Sequence, residues 1–165
     1  MIFIGIGSNL PSRAGPPRAT AEAAVEAMAR AGLGVKRRSL WYESAPVPIS
    51  DQPWFVNGVV EVETDLPPAA LLAVLHRIEA AFGRTRTAAN AARTLDLDLL
   101  DYHGRTNDGE DGVILPHPRL HERAFVLLPL EELAPGWRHP RTGRPIAALI
   151  AALPPDTVAR PITNC

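Results

Sequence analysis

Asp96 and Asp98 alternate with Leu95, Leu97 and Leu99 in a strand-like run. Side chains on a strand alternate faces, so the two carboxylates share one side and the leucines the other. One such step separates the carboxylates by about 6–7 Å, a spacing that lets both reach one hard cation, or a pair of them, with water and phosphate oxygens completing the shell. Alternation alone is what any half-exposed strand displays. Aspartate is a poor strand former, however, and no lysine stands near the pair, so a bound cation is a natural compensation. Arg84, Arg86 and Arg93 come just before it, in a stretch from 83 to 93 with almost no large apolar side chain. Guanidinium groups facing a metal–carboxylate pair are the parts that hold and neutralise a polyphosphate during transfer. A solvated arginine loop is the plain alternative.

His117 stands between Pro116 and Pro118, whose restricted backbones also restrict where the imidazole points. Arg123 and Phe125 follow, offering a cation and a flat apolar face. His76, His103, His121 and His139 carry little signal individually. Other chemistries drop out. Gly5-Ile6-Gly7-Ser8-Asn9 lacks the third glycine of a dinucleotide fingerprint, and no P-loop, G-x-S-x-G, H-E-x-x-H or C-x-x-C occurs. Close packing at a strand end explains Gly5 and Gly7, with Ser8 and Asn9 shaping the floor of a site.

The elements that must position these residues follow from periodicity. Residues 1–8 read as a buried first strand. A helix spans 17–31, with Ala21, Ala24, Val25 and Met28 at helical spacing, and stops at Gly32 and Gly34. A strand over 35–42 carries Lys36-Arg37-Arg38. The proline-rich stretch 44–53 is an extended loop, and 55–63 returns as a strand with Phe55, Asn57, Val59 and Glu61 on one face and Val56, Val60 and Val62 on the other. Pro67-Pro68 opens a second helix whose stripe is Leu71, Leu72, Leu75, Ile78 and Phe82. A strand over 95–101, a hairpin through 103–109 back to 113–115, and helices over 119–133 and 146–153 complete the chain. The order β-α-β-β-α-β with appended helices predicts a ferredoxin-like α+β fold: an antiparallel sheet, both helices on one face, and the other face left for a site or for the C-terminal helices.

Composition bounds the rest. A chain of 165 residues is expected to form one domain. With 46% hydrophobic residues and mean hydropathy near zero, it reads as a globular protein rather than a disordered or membrane one. Its net charge of −1 gives no basic field for nucleic acid. The lone Cys165 excludes an internal disulfide, and the apolar start at residues 1–7 gives no sign of a leader. A cytoplasmic protein without membrane or nucleic-acid partners is expected. Of 17 basic residues only Lys36 is lysine, so phosphate handling falls to arginine.

Taken together, Gly5-Ile6-Gly7-Ser8-Asn9-Leu10, Asp51-Gln52-Pro53, Phe55-Val56-Asn57, Arg93-Thr94-Leu95-Asp96-Leu97-Asp98-Leu99-Leu100, Pro116-His117-Pro118 and Arg123-Ala124-Phe125 closely resemble the 6-hydroxymethyl-7,8-dihydropterin pyrophosphokinase family. They do so in order over most of the chain. The resemblance implies transfer of the terminal diphosphate of ATP to the pterin alcohol, giving the pterin diphosphate and AMP in folate biosynthesis. By it, Asp96 and Asp98 ligate two Mg²⁺ and, with Arg84 and Arg93, form the catalytic set. Arg84, Arg86, Arg93, His117 and Arg123 meet the phosphates, with His76, Glu79 and Leu99 near the nucleotide. The pterin stacks between Phe55 and Phe125, and Asn57 with the backbone around Ser44, Ala45, Pro46 and Val47 reads its amide-like edge. Such a site suits a flat heteroaromatic whose edge both donates and accepts. A monomer is expected, with loops 44–53 and 83–93 as lids that exclude water.

Three positions depart from the family pattern. Ala89-Asn90-Ala91-Ala92 lacks a tryptophan that many members carry, Phe55 replaces a tyrosine, and Gly112-Val113-Ile114-Leu115 lacks an arginine used for ATP. Nucleotide contacts are therefore expected to be weaker or differently distributed. The competing readings are a Mg²⁺-dependent transferase acting on another alcohol and a small-molecule-sensing module, since this fold hosts many functions.

Overall fold

The computed structural model describes residues 1–45, 53–83, 94–155, 157 and 159–162. Strand β1 (Ile2–Ser8) leads to helix α1 (Pro17–Arg30), β2 (Gly34–Arg38), β3 (Tyr42–Ser44), β4 (Phe55–Glu63) and α2 (Pro68–Ala81). There follow β5 (Asp96–Tyr102), β6 (Asn107–Asp108), β7 (Ile114–Leu115), α3 (Ala124–Leu133), α4 (Ile146–Ala151) and β8 (Ala159–Pro161). The main sheet is antiparallel in the order β5-β1-β4-β3-β8, with β2 also on β4, while β6 and β7 form a separate two-stranded sheet. This is the ferredoxin-like α+β arrangement.

The period-2 patterns of β1, β4 and β5 divide the core between the two faces of the sheet. Ile2, Ile4, Ile6, Val60, Val62, Leu95, Leu97 and Leu99 pack under α1 and α2, with Met28, Leu71, Leu75 and Ile78 from the helices. Phe3, Val59 and Leu100 face the other way, against Leu127, Leu130, Trp137 and Ile146. The helices at the C-terminal end of the fold thus cover one half of the second face.

Three expectations need correction, and one strand is new. The strand over 35–42 is two strands, broken at 39–41. Ser39 takes both ladder groups of Val59: its N–H donates to the Val59 carbonyl at 2.9 Å and its Oγ accepts the Val59 N–H at 3.0 Å. The chain then turns inward, burying Trp41 over Gly58, where an added Cβ would lie 2.6 Å from the indole ring. Ser44, assigned to the proline-rich loop, is the last residue of β3. The helix over 119–133 is a short 3-10 turn, Leu120–Glu122, followed by α3, with an extended Arg123 (φ −114°, ψ 106°) between them. Finally, β8 has no sequence signature of its own; it exists because β3 offers an unpaired edge.

Candidate functional site

Cross-strand register builds the site. On the second face, beside the part packed on α3 and α4, Asp96 on β5 is paired with Gly7 on β1, and Gly7 with Asn57 on β4. One step along, Asp98 lies opposite Gly5, and Gly5 opposite Val59. Residues directly opposite one another project to the same face, so the acid pair and Asn57 stand on either side of glycine on β1. A Cβ on Gly7 would come within 2.9 Å of Asn57 Nδ2. Gly5, by contrast, packs on Leu100 at ordinary distance. The two glycines therefore differ: Gly5 serves packing, and Gly7 leaves the space that the amide occupies.

The Asn57 side chain is buried and its orientation is set by Ser44, whose Oγ donates to Oδ1 at 2.6 Å. The amide's Nδ2 donors remain for other work. Phe55 precedes it by one step of the same face and is half-buried. Asn9 donates to the Pro53 carbonyl at 3.1 Å, fastening the entry to β4, and Ser8 Oγ donates to the Leu10 carbonyl at 3.2 Å.

At the acid pair, Asp98 Oδ1 lies 3.8 Å from His117 Nε2, and Asp98 Oδ2 lies 3.8 Å from Arg123 Nη1. A bulge makes this meeting possible. Register shifts between Phe3 and Ile4, leaving Leu100 without a partner on β1, and its carbonyl accepts the His117 N–H at 3.0 Å. The Nδ1 atom of His117 accepts the Arg119 N–H at 3.2 Å. In the neutral ring the proton must then sit on Nε2, the atom facing Asp98. Burial, reinforced by Arg123 and by Arg119 and opposed by Asp96, lowers the His117 pKa to about 4. His117 is thus a neutral N–H donor at pH 7. Arg123 also lies over the Phe125 ring, 5.5 Å from its centroid.

Other candidates lie elsewhere. Leu99 is buried in the core under α1 and α2, so only its backbone faces outward. Glu79, also buried, reaches β5 from that same side and accepts the Leu97 N–H at 2.8 Å. His76 is exposed on α2, and Ala45 follows directly on β3. Arg84, Arg86, Arg93, Pro46 and Val47, with most of the two expected lids, lie outside the described residues. The same holds for Cys165 and for Asn90. The interaction of Ser44 with Asn57 and the role of Arg119 were not legible in sequence, where Ser44 stands in a loop beyond the strand.

A pocket of about 390 Å³ opens beyond His117, among Ile114, His121, His139, Arg141 and Leu149. Of its two arginines, Arg141 is committed to structure: its Nη2 donates to the carbonyls of Asn107 and Leu115 and to Asp108 Oδ1. The acid pair lies outside this lining.

Among the described residues no three His, Cys, Asp or Glu side chains gather as a metal cage. Two partly exposed carboxylates on one strand face are instead the hard-donor set that binds Mg²⁺ jointly with substrate phosphates. Asp96 and Asp98 fit that ion.

The fold and the polar row across its sheet define a ferredoxin-like α+β enzyme domain. Residues 3–135 match the family model of 7,8-dihydro-6-hydroxymethylpterin-pyrophosphokinase (HPPK), and the chain belongs to this family of transferases. It is 39% identical over 160 residues to the 2-amino-4-hydroxy-6-hydroxymethyldihydropteridine pyrophosphokinase of Pseudomonas aeruginosa, covering 96% of this chain and 95% of that one. Against the Synechocystis enzyme of the same name identity is 40% over 148 residues, covering 89% and 73%. Longer relatives match too: the chain spans 19% of the folic acid synthesis protein fol1 of Pneumocystis carinii, at 39% identity over 147 residues and 89% of this chain. In three dimensions it resembles a Plasmodium falciparum HPPK-DHPS chain, with TM-score 0.68 and 14% identity, covering 91% of this chain and 43% of that one. No helix among the described residues is long and apolar enough to cross a membrane.

Proposed function

We propose that the chain transfers the terminal diphosphate of ATP to 6-hydroxymethyl-7,8-dihydropterin, giving the pterin diphosphate and AMP, as a step of folate biosynthesis. The observation that carries this reading is the row Asp96–Gly7–Asn57. It sets the backbone positions of a cation-holding acid and a hydrogen-bonding amide two strand spacings apart, about 9–10 Å, across a glycine that the amide leans over. A flat bicyclic alcohol laid along that row has its ring edge at Asn57 and its hydroxymethyl arm toward Asp96 and Asp98.

The pterin ring stacks between Phe55 and Phe125, where offset aromatic contact adds about 0.5–1.5 kcal/mol to area burial. Asn57, held by Ser44, and the backbone at Ala45, Pro46 and Val47 read the ring edge. Asp96 and Asp98 would hold two Mg²⁺, which would supply neutralisation of the phosphate charge. Arg84, Arg86, Arg93 and Arg123 take phosphate oxygens as charged forks, and His117 adds its neutral Nε2–H. His76, Glu79 and the Leu99 backbone border the nucleotide at the outer edge of β5.

The hydroxymethyl oxygen attacks the β-phosphorus in line. Its bond to phosphorus forms as the bond from the β-phosphorus to the oxygen bridging the α-phosphate breaks, and AMP leaves. Asp98 accepts the hydroxyl proton. Positioning and charge neutralisation supply most of the acceleration in such transfers. The working form is a cytoplasmic monomer.

The test is to incubate the protein with ATP, Mg²⁺ and hydroxymethyldihydropterin and separate the nucleotides. AMP in step with pterin diphosphate is expected. Release of ADP would mean transfer of one phosphoryl group, and absence of both products from a folded protein would refute the reading.

A further inference from the structure

β8 lies outside the matched stretch 3–135, yet it is the edge strand paired with β3, whose last residue, Ser44, is assigned to the pterin edge. Its register against β3 pairs Tyr42 with Pro161, Glu43 with Arg160 and Ser44 with Ala159. The Ile162 N–H donates to the Trp41 carbonyl at 2.8 Å, continuing the attachment beyond the ladder. β3 itself is three residues long and ends in Ser44.

Arg160 makes two contacts on the reverse side of this hairpin. Its Nε donates to Glu43 Oε1 at 2.6 Å, and its guanidinium carbon sits 5.2 Å from the centroid of the Trp54 ring. Glu43 immediately precedes Ser44, and Trp54 immediately precedes Phe55. Strand alternation puts Glu43 on the face opposite Ser44, and the guanidinium that meets Glu43 also lies over Trp54, just before β4. One guanidinium therefore grips both arms of the β3–β4 pair, each one residue away from a residue proposed to meet the pterin.

We infer that Arg160 is a positioning residue for pterin binding: through Glu43 and Trp54 it holds β3 and the start of β4 in the spacing that lets Ser44 orient the Asn57 amide and Phe55 present its ring. The inference rests on the function proposed above. Arg160 touches neither nucleotide nor pterin, and it lies on the far side of the sheet from the acid pair. Its loss falls on pterin affinity, with ATP affinity and turnover left in place.

The contacts are half-exposed, so the effect is modest. Arg160→Ala raises the KM for hydroxymethyldihydropterin about three- to tenfold, as loss of an exposed ion pair and an exposed cation–π contact implies. The KM for ATP and kcat stay within about twofold. Arg160→Lys, which keeps the charge toward Glu43, restores part of the pterin affinity. Native-state hydrogen exchange without substrate gives a separate readout, in which the amides of 42–44 lose protection in Arg160→Ala while those of β1 do not. If the wild-type protein makes no AMP, the functional reading fails while the exchange result still tests the clamp. Unchanged pterin KM, or equal rises in both KM values, overturns the inference, as does unchanged protection at 42–44.

Discussion

His117 Nε2 and Asp98 Oδ1 stand 3.8 Å apart, with the other imidazole nitrogen occupied by the Arg119 amide and Arg123 approaching the second carboxylate oxygen of Asp98. The arrangement brings a neutral donor and a cation to one carboxylate. It arises from three unrelated local features: a bulge at Leu100, a proline-bracketed turn, and an extended residue between two helical segments. Each can be tested.

Asp98→Ala removes the carboxylate that both His117 and Arg123 approach. Turnover should fall at least about 10²–10³-fold, the range for deleting one preorganised electrostatic group. Pterin fluorescence titration should still show binding, since the stacking residues are untouched. Near-normal kcat in this variant would remove Asp98 from the chemistry.

The lowered pKa of His117 makes the metal-free protein sensitive to acid. Its ordinary value is 6.5 and its folded value about 4, so between these the unfolded chain binds more protons. Stability is full above pH 6.5 and declines as pH falls toward 4, by up to about 3 kcal/mol from this residue. Denaturant titrations in chelator from pH 7 to 4.5 should show the decline, and His117→Gln should reduce it. Part must remain, because His103 and His139 are also shifted downward, chiefly by burial. Identical pH slopes in the two proteins would contradict the assignment.

Asn57→Ala should weaken pterin binding about ten- to a hundredfold, the consequence of losing a bidentate polar contact in a site built around it. Ser44→Ala leaves the amide in place but unheld, and a loss of about fivefold is expected for one neutral hydrogen bond. Calorimetric titration with the pterin separates the two. Equal losses would mean that Ser44 contacts ligand itself.

Two glycines offer a contrast between function and stability. Gly7→Ala sets a methyl 2.9 Å from Asn57 Nδ2, so the amide must move and pterin KM should rise while thermal stability changes little. Gly58→Ala drives a methyl into the buried Trp41 ring at 2.6 Å and should cost about 1–3 kcal/mol by overpacking. Thermal melts and steady-state kinetics of both variants check the pair. A Gly58→Ala protein as stable as wild type would show that Trp41 is not held where the structure places it.

Glu79 is the acid for which the structure adds a role to the one expected at the nucleotide. By resemblance it belongs near the nucleotide; in the structure it satisfies the Leu97 N–H from within the core. Glu79→Ala leaves that buried donor unpaired, and a loss of about 1–3 kcal/mol is expected. Denaturant midpoints would report it, and an unchanged midpoint would return Glu79 to a purely nucleotide role.

Much of the fold was legible in the sequence because periodicity is a local property. The alternation in β1, β4 and β5, the stripe of α2 and the stop at Gly32 depend only on neighbouring residues and on which face meets water. The pairing of Asp96 with Asp98 on one face follows from the same geometry. The break at 39–41 was not legible, because it is caused by Ser39 bonding Val59 twenty residues away in sequence. β8 was invisible for a like reason: Ala159–Pro161 has no strand character apart from the edge that receives it.

By itself, then, the sequence determined which residues face together along each element, and its ordered motifs pointed to the family. What only the tertiary structure decided is which faces meet across elements. Antiparallel register set Gly7 between Asp96 and Asn57, and the bulge at Leu100 brought the His117 turn to Asp98. These are long-range pairings, fixed by hydrogen bonds between distant segments and by burial on both faces of the sheet, and no local pattern encodes them.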